Sequence, residues 1–391
     1  MRAPSRRTQL LVLLVLVGTV LRVAGSFRYP GVRYDIVSLR TVGDAVLHHP
    51  LHVYDAQRWP YGPVYFPLAA LAVELSGPLH LAFSGLVRFP VIVADAVTTV
   101  LVADLLRLRG KSLRVQLAGA GLISLGPLPV FIVVAHGQID GLAFAFVVGA
   151  LWVWQREPPR RVLLCGLLIG LGAATKTTPL FCLLAFLPLC GSRKQRLQLV
   201  GAAIAVPALL LVPWALSEPT ALLKALTSNS GVPGFGSWSL LVQPSLADGW
   251  IEQVHVVASS QTLWVTKYQN FIVAVPLLLL FPLLWRRRLD PAAGVCLLFL
   301  VLLVVNPNLA YQYLLWALLP MAAAGLLVES AIVSAVFILP AWILYFRPHN
   351  ALTDSSLYRV LALLAWAALV VLSAVRLRQA WRSPGRQPAV G

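Results

Sequence analysis

The chain has 391 residues, a formal net charge of +17, 59% hydrophobic residues and only 12% charged ones. Soluble domains carry about 25% charged residues, so this composition excludes an ordinary soluble fold and points to a chain that lives in a membrane. The positive balance does not indicate nucleic-acid binding. The basic residues sit in short blocks between apolar runs, around 2–7, 107–114, 156–161, 193–196, 286–288 and 376–386, as cytoplasmic loops of a membrane protein do.

Apolar runs near twenty residues long, rich in Leu, Val and Ala, predict membrane helices rather than barrel strands. The first run follows a basic start, lacks a small-residue cleavage site and is taken as a retained helix over 9–26, with the N-terminus inside. A long polar stretch follows on the outside. Residues 63–83 are apolar, but Pro63, Pro67, Glu74, Gly77 and Pro78 make them a poor span. They are expected to form broken interfacial helices, so that 27–85 is a first exoplasmic loop. Alternating spans are then expected at 86–106, 115–135, 141–155, 162–175, 178–190 and 197–216. A second long exoplasmic loop covers 217–266, with further spans at 267–285, 291–305, 311–328, 331–346 and 357–375. The expectation is an all-α polytopic membrane protein with about 12 transmembrane helices, one membrane domain over 1–391 and both termini cytoplasmic.

The four cysteines lie in or beside apolar runs, and their spacing suggests neither a disulfide framework nor a zinc site. No Asn-x-Ser/Thr acceptor occurs, which favours a bacterial inner membrane over an endoplasmic one.

With this topology the scarce polar residues gather on the outer side. Ionisable groups near a membrane mark function more often than they do in solution. The first loop holds Asp35, Asp44 and Asp55 with His48, His49 and His52. Asp35 lies closest to the end of the first helix, where a carboxylate can take a proton from an attacking hydroxyl. Asp44 and Asp55 have the character of helix-start and turn residues. In the run AHGQID, Asp140 has a ready structural role as a helix cap, whereas His136 and Gln138 do not. Lys176, in GAATKTTPL, sits at the tip of a predicted helical hairpin; it either snorkels to the interface or meets a phosphate. Gln312 and Tyr313, in AYQYLLW, and Arg347 complete the outer set. No nucleotide-binding fingerprint, hydrolase elbow or zinc-protease motif is present.

In order along the chain, the loop with Asp35, PYGPVYFPLAAL, RLRGKSLR, HGQID, GLGAATKTTPL and AYQYLLWALLP resemble the GT-C superfamily of glycosyltransferases that use polyprenol-phosphate sugars. The chain is most similar to the catalytic subunit of GPI mannosyltransferase I and to bacterial membrane mannosyltransferases. Tyr61-Gly62-Pro63 matches the family's Tyr-x-Pro, Lys176 to Pro179 its Lys-x-x-Pro hairpin, and Gln312, Tyr313 and Trp316 its Gln-Tyr-x-x-Trp helix.

The resemblance implies a GT-C type fold and transfer of a hexose, with mannose the expected sugar. The donor would be a polyprenyl-phosphate sugar, and the acceptor an extracytoplasmic lipid or glycan. Asp35 would be the general base. Lys176, His136, Gln138, Asp140, Gln312, Tyr313 and Arg347 would bind donor phosphate and sugar, with Asp44, Tyr61 and Tyr65 supporting the first loop. The mannosyltransferase subgroup carries Asp-x-Asp here, but Val37 stands at the second acid, so no metal site is expected from this motif. The remaining alternatives are a lipid-linked-sugar flippase or other transporter, which would place its site at mid-membrane, and a structural subunit in which Asp35 and Lys176 are dispensable.

Overall fold

A computed structural model describes residues 5–227, 236–242, 260–346 and 355–383, and every described regular element is helical. Among the described residues, seven helices are long and apolar enough to cross a membrane: Arg6–Arg28, Phe83–Leu108, Leu113–His136, Arg193–Ser217, Lys267–Arg287, Leu327–Phe346 and Leu357–Arg382. Several of them bury little. On Arg6–Arg28, Leu13 and Leu16 are exposed, and Leu216 at the end of Arg193–Ser217 is 81% exposed. Apolar faces this extensive need lipid rather than water against them.

The chain divides into two compact units, residues 1–180 with 194–229 and residues 181–193 with 230–391.

The first unit begins with α1 (Arg6–Arg28), whose N-cap Ser5 accepts from the Thr8 N–H. Helix α2 (Arg33–His48) follows at once, so much of the first loop is helix. Asp44 lies inside α2, 4.0 Å from Arg40, rather than at a helix start. Helix α3 (Phe66–Ser76) has eleven residues, too few for a span. The turn α4 (Phe83–Leu86) leads into α5 (Phe89–Leu108), whose start is set by Pro90 in its first turn. Then come α6 (Leu113–Ser124), α7 (Pro127–Phe131), a π-helical turn Ile132–His136, α8 (Asp140–Arg156) and α9 (Arg161–Thr175).

Helices α5, α8 and α9 pack in sequence, and α1 lies against α5 and α6. A buried ion pair locks that corner. Arg22 Nε is 2.9 Å from Asp95 Oδ2, and the same guanidinium donates to the carbonyls of Gly18, Ile123 and Ser124. The expected span 178–190 is not one helix. It is a 3-10 turn Thr178–Cys182, the single turn α10 (Leu183–Phe186) and a second 3-10 turn Leu187–Leu189. Helix α11 (Arg193–Ser217) and α12 (Pro219–Thr227) return to the first unit.

The second unit contains α10, α13 (Ser239–Val242), α14 (Ser260–Arg287), α15 (Pro291–Val305), α16 (Leu315–Ala324), α17 (Leu327–Phe346) and α18 (Ser355–Arg382). Asp290 caps α15 by accepting from the Ala292 and Ala293 N–H groups, and Pro291 occupies its first position. The expected span 311–328 is interrupted. It opens as a 3-10 turn, Tyr311–Leu314, and α16 stops after ten residues at Gly325, whose φ of +81° ends a helix. Five of the twelve expected spans are therefore shorter than a crossing helix. Half of the second exoplasmic loop (residues 228–235 and 243–259) and the loop holding Arg347 lie outside the described residues.

Candidate active site

The first unit holds a small cleft of about 250 Å³, lined among others by Asp35, Arg58, Trp59, Tyr61, Gln138 and Lys224. Asp35 stands in the first turn of α2, where the helix dipole favours a carboxylate. His136 ends the π-helical turn, which carries an extra residue per turn and so re-aims the side chain at its end. The two segments are stitched by the Val32 N–H, which donates to the His136 carbonyl at 3.0 Å. Across that stitch, His136 Nε2 lies 2.8 Å from Asp35 Oδ2. His136 is buried, whereas the Asp35 side chain keeps 19% exposure and lines the cleft. A carboxylate held by an imidazole and open to a cleft can act as a general base.

A second pair lies in the same unit. Lys176 Nζ is 2.8 Å from Asp140 Oδ1, with both side chains buried, and the ammonium stands 4.9 Å from the centre of the Tyr61 ring. Asp140 is the first residue of α8 but does not cap it; the N-cap is Ile139, and the carboxylate is turned to the lysine. Lys176 is therefore neither at an exposed tip nor snorkelling: it is a desolvated cation with a counter-ion. Tyr61 is held over it by tight packing. Gly62 lies so close to the Ala174 carbonyl that a Cβ there would overlap it, which gives the Tyr61-Gly62-Pro63 segment a physical reason for its glycine. The Tyr61 hydroxyl is pushed well above its usual ionisation range by burial and then by the negative charges of Asp140 and Asp35, so it stays a neutral phenol.

Aromatic side chains shape the rest of the wall. Trp59 donates through Nε1 to the Gly62 carbonyl, meets Tyr61 edge-on at 5.3 Å and stacks on Tyr65 at 6.2 Å. Tyr65 is buried and donates to the Val87 carbonyl. The Tyr54 hydroxyl donates to the Tyr61 carbonyl at 2.9 Å. Glu218 fixes that loop: its carboxylate accepts from the N–H groups of Tyr54 at 2.8 Å and Asp55 at 3.2 Å. Burial raises the Glu218 carboxyl above its ordinary value despite those bonds.

Gln138 lines the cleft, whereas Asp44 is half-buried on α2 and is not part of its lining. In the second unit, Gln312 is buried in the 3-10 turn and Tyr313 stacks on Trp316 at 4.1 Å. Arg347 lies outside the described residues. Val37, in place of a second acid, is an exposed apolar residue. Among the described residues, the group with metal-ligand chemistry is His52, Asp55 and Glu218, with ligand atoms within 4.8 Å of one another. The His52–Asp55 pair at 3.2 Å and the two backbone bonds to Glu218 account for that cluster as a loop latch.

Sequence reasoning passed over Glu218, Arg22, Arg88 and Asp95. All four are charged residues in or beside apolar runs, which was the available signal.

The comparison with curated proteins finds no match. Residues 59–307, well over half of the chain, match the family described as Glycosyltransferase family 87. The match includes Tyr61, Tyr65, His136, Gln138, Asp140 and Lys176; Asp35 lies before it, and Gln312 and Tyr313 after it. The protein is a membrane glycosyltransferase and belongs to glycosyltransferase family 87.

Proposed function

We propose that the enzyme transfers a hexose, mannose in the first instance, from a polyprenyl-phosphate donor to a lipid or glycan acceptor on the extracytoplasmic side of a bacterial inner membrane. The observation that carries this reading is the Asp35–His136 pair at 2.8 Å beside an aromatic and polar cleft. The cleft lies just below the range of about 300–1,000 Å³ usual for small-molecule pockets, which suits a single sugar ring better than a long glycan. Trp59, Tyr61 and Gln138 in its lining give it the aromatic and amide character that suits a sugar.

In this mechanism Asp35 removes the proton of an acceptor hydroxyl while His136 holds the carboxylate in place. The acceptor oxygen attacks the anomeric carbon, and the bond from that carbon to the phosphate oxygen breaks. The electron pair leaves with the polyprenyl phosphate, so the configuration inverts. The developing phosphate charge needs a cation in a water-poor site, the kind of electrostatic stabilisation that usually contributes most. Lys176 is the candidate, and a phosphate that reaches it must share it with Asp140. No metal is required by this scheme, in keeping with Val37 at the second acid position.

The test is sugar transfer by the purified protein in liposomes, with radiolabelled polyprenyl-phosphate mannose as donor and a cell-envelope lipid extract as acceptor. Asp35→Asn is expected to lose more than about a hundredfold in rate, the scale of general-base catalysis. Transfer that survives this substitution removes Asp35 from the mechanism. Lipid-sugar movement across the liposome without transfer defeats the reading as a whole.

A further inference from the structure

Arg88 is 1% exposed, and the described residues give it no carboxylate partner. A buried cation without a counter-ion is costly, so its retention calls for a specific use. The guanidinium points at the two segments that carry Asp35 and His136. Its Nη1 donates to the carbonyls of Ser26 at 3.1 Å and Tyr29 at 2.8 Å, where α1 runs out toward α2. The same nitrogen donates to the Val134 carbonyl at 3.1 Å, in the π-helical turn that ends at His136.

The other edge of the guanidinium faces two glycines. Gly31 (φ +85°) and Gly137 (φ +86°) both adopt left-handed backbone, one just before Val32 and the other just after His136. A Cβ on Gly137 would lie 2.7 Å from Arg88 Nε, and one on Gly31 would overlap Nη2. Among the described residues, Nε and Nη2 have no hydrogen-bond acceptor. The planar fork of arginine reaches both chain segments at once, which a lysine ammonium does less well.

We propose that Arg88 is a positioning residue: it clamps the Tyr29–Val32 and Val134–Gly137 segments together and so fixes Asp35 against His136. This rests on Asp35 being the base of the transfer reaction. Arg88 contributes through geometry and touches neither donor nor acceptor.

The test is steady-state transfer in liposomes by Arg88→Lys and Gly137→Ala, with unfolding midpoints measured in detergent. Each is expected to lower kcat by about a hundredfold, the cost of a displacement of about 1 Å at a reacting group. The KM for donor and for acceptor should stay unchanged. In an Asp35→Asn or His136→Ala background, Arg88→Lys should cost little more, because the pair it positions is already broken. Wild-type kcat in Arg88→Lys overturns the proposal. So does a raised donor KM at unchanged kcat, which would make Arg88 a binding residue, or a fully additive loss in the double variants. If Arg88→Lys does not fold, Gly137→Ala carries the same test from the other side of the contact. Wild-type transfer by Asp35→Asn defeats the general-base reading and the clamp with it; loss of transfer in Asp35→Asn beside wild-type kcat in Arg88→Lys defeats the clamp alone.

Discussion

Lys176 and Asp140 stand 2.8 Å apart with side-chain exposures of 4% and 0%, a fully desolvated ion pair beside the cleft. Removing one partner leaves a buried charge without this counter-ion. Lys176→Met or Asp140→Asn alone should cost about 3–5 kcal/mol. The double variant should cost less than the sum, because no orphaned charge remains. Denaturant titration of the detergent-purified protein measures both. Transfer should be lost in Lys176→Met even where the double variant regains stability.

His136 holds Asp35 through one hydrogen bond at 2.8 Å. His136→Ala frees the carboxylate without removing it, so the rate should fall less than in Asp35→Asn, by about ten- to a hundredfold if the imidazole supplies part of the general-base effect. His136→Gln, which can still donate to the carboxylate, should recover part of the loss. Equal rates for wild type and His136→Ala would show that the pair does not matter to transfer.

Glu218 gives a pH dependence of known sign. Its carboxyl is raised by burial, so the folded protein holds this proton more tightly than the unfolded chain does. Stability from this group is fully present below the ordinary glutamate value and is lost as pH rises through the elevated folded value. As pH rises above the ordinary glutamate value of about 4.3, the wild type should therefore lose stability relative to Glu218→Gln, whose midpoint should be flatter. The glutamine should also cost about 1–3 kcal/mol at low pH, since its amide nitrogen cannot accept from a backbone N–H. A slope of opposite sign would overturn this account.

Gly62 packs against the Ala174 carbonyl, two residues before Lys176. Gly62→Ala should force the loop away, destabilise by about 1–3 kcal/mol and lift Tyr61 off the ammonium. An unchanged unfolding midpoint together with unchanged transfer would show that the close approach is slack.

Much of the helical pattern was legible. The bounds expected at 291–305 coincide with α15, although that helix is too short to cross, and the first span differs from α1 by a few residues, because Asp290-Pro291 and the Leu/Val runs are strong local signals. The interruption at Gly325 was not legible: apolar residues continue on both sides, and only the backbone conformation of the glycine ends α16. Asp44 was misplaced for a similar reason, since a Gly-Asp pair reads as a turn while α2 runs through it. In the site, Asp35, His136, Asp140 and Lys176 each stood out singly as ionisable groups near a membrane. Their pairing did not, because 101 residues separate His136 from Asp35 and 36 separate Lys176 from Asp140. Arg88 escaped notice because its partners are backbone carbonyls and two glycines, which carry no side-chain signature.

Helix α9 has fifteen residues, which at about 1.5 Å per residue makes it about 22 Å long, some 8 Å short of a hydrocarbon layer of about 30 Å. A helix of that length cannot hold Arg160 and Arg161 at one headgroup surface and Lys176 at the other. Dissolved ions screen exposed charges over about 8–10 Å but reach a recessed pair poorly. Transfer should therefore be nearly indifferent to added salt at the Lys176–Asp140 pair.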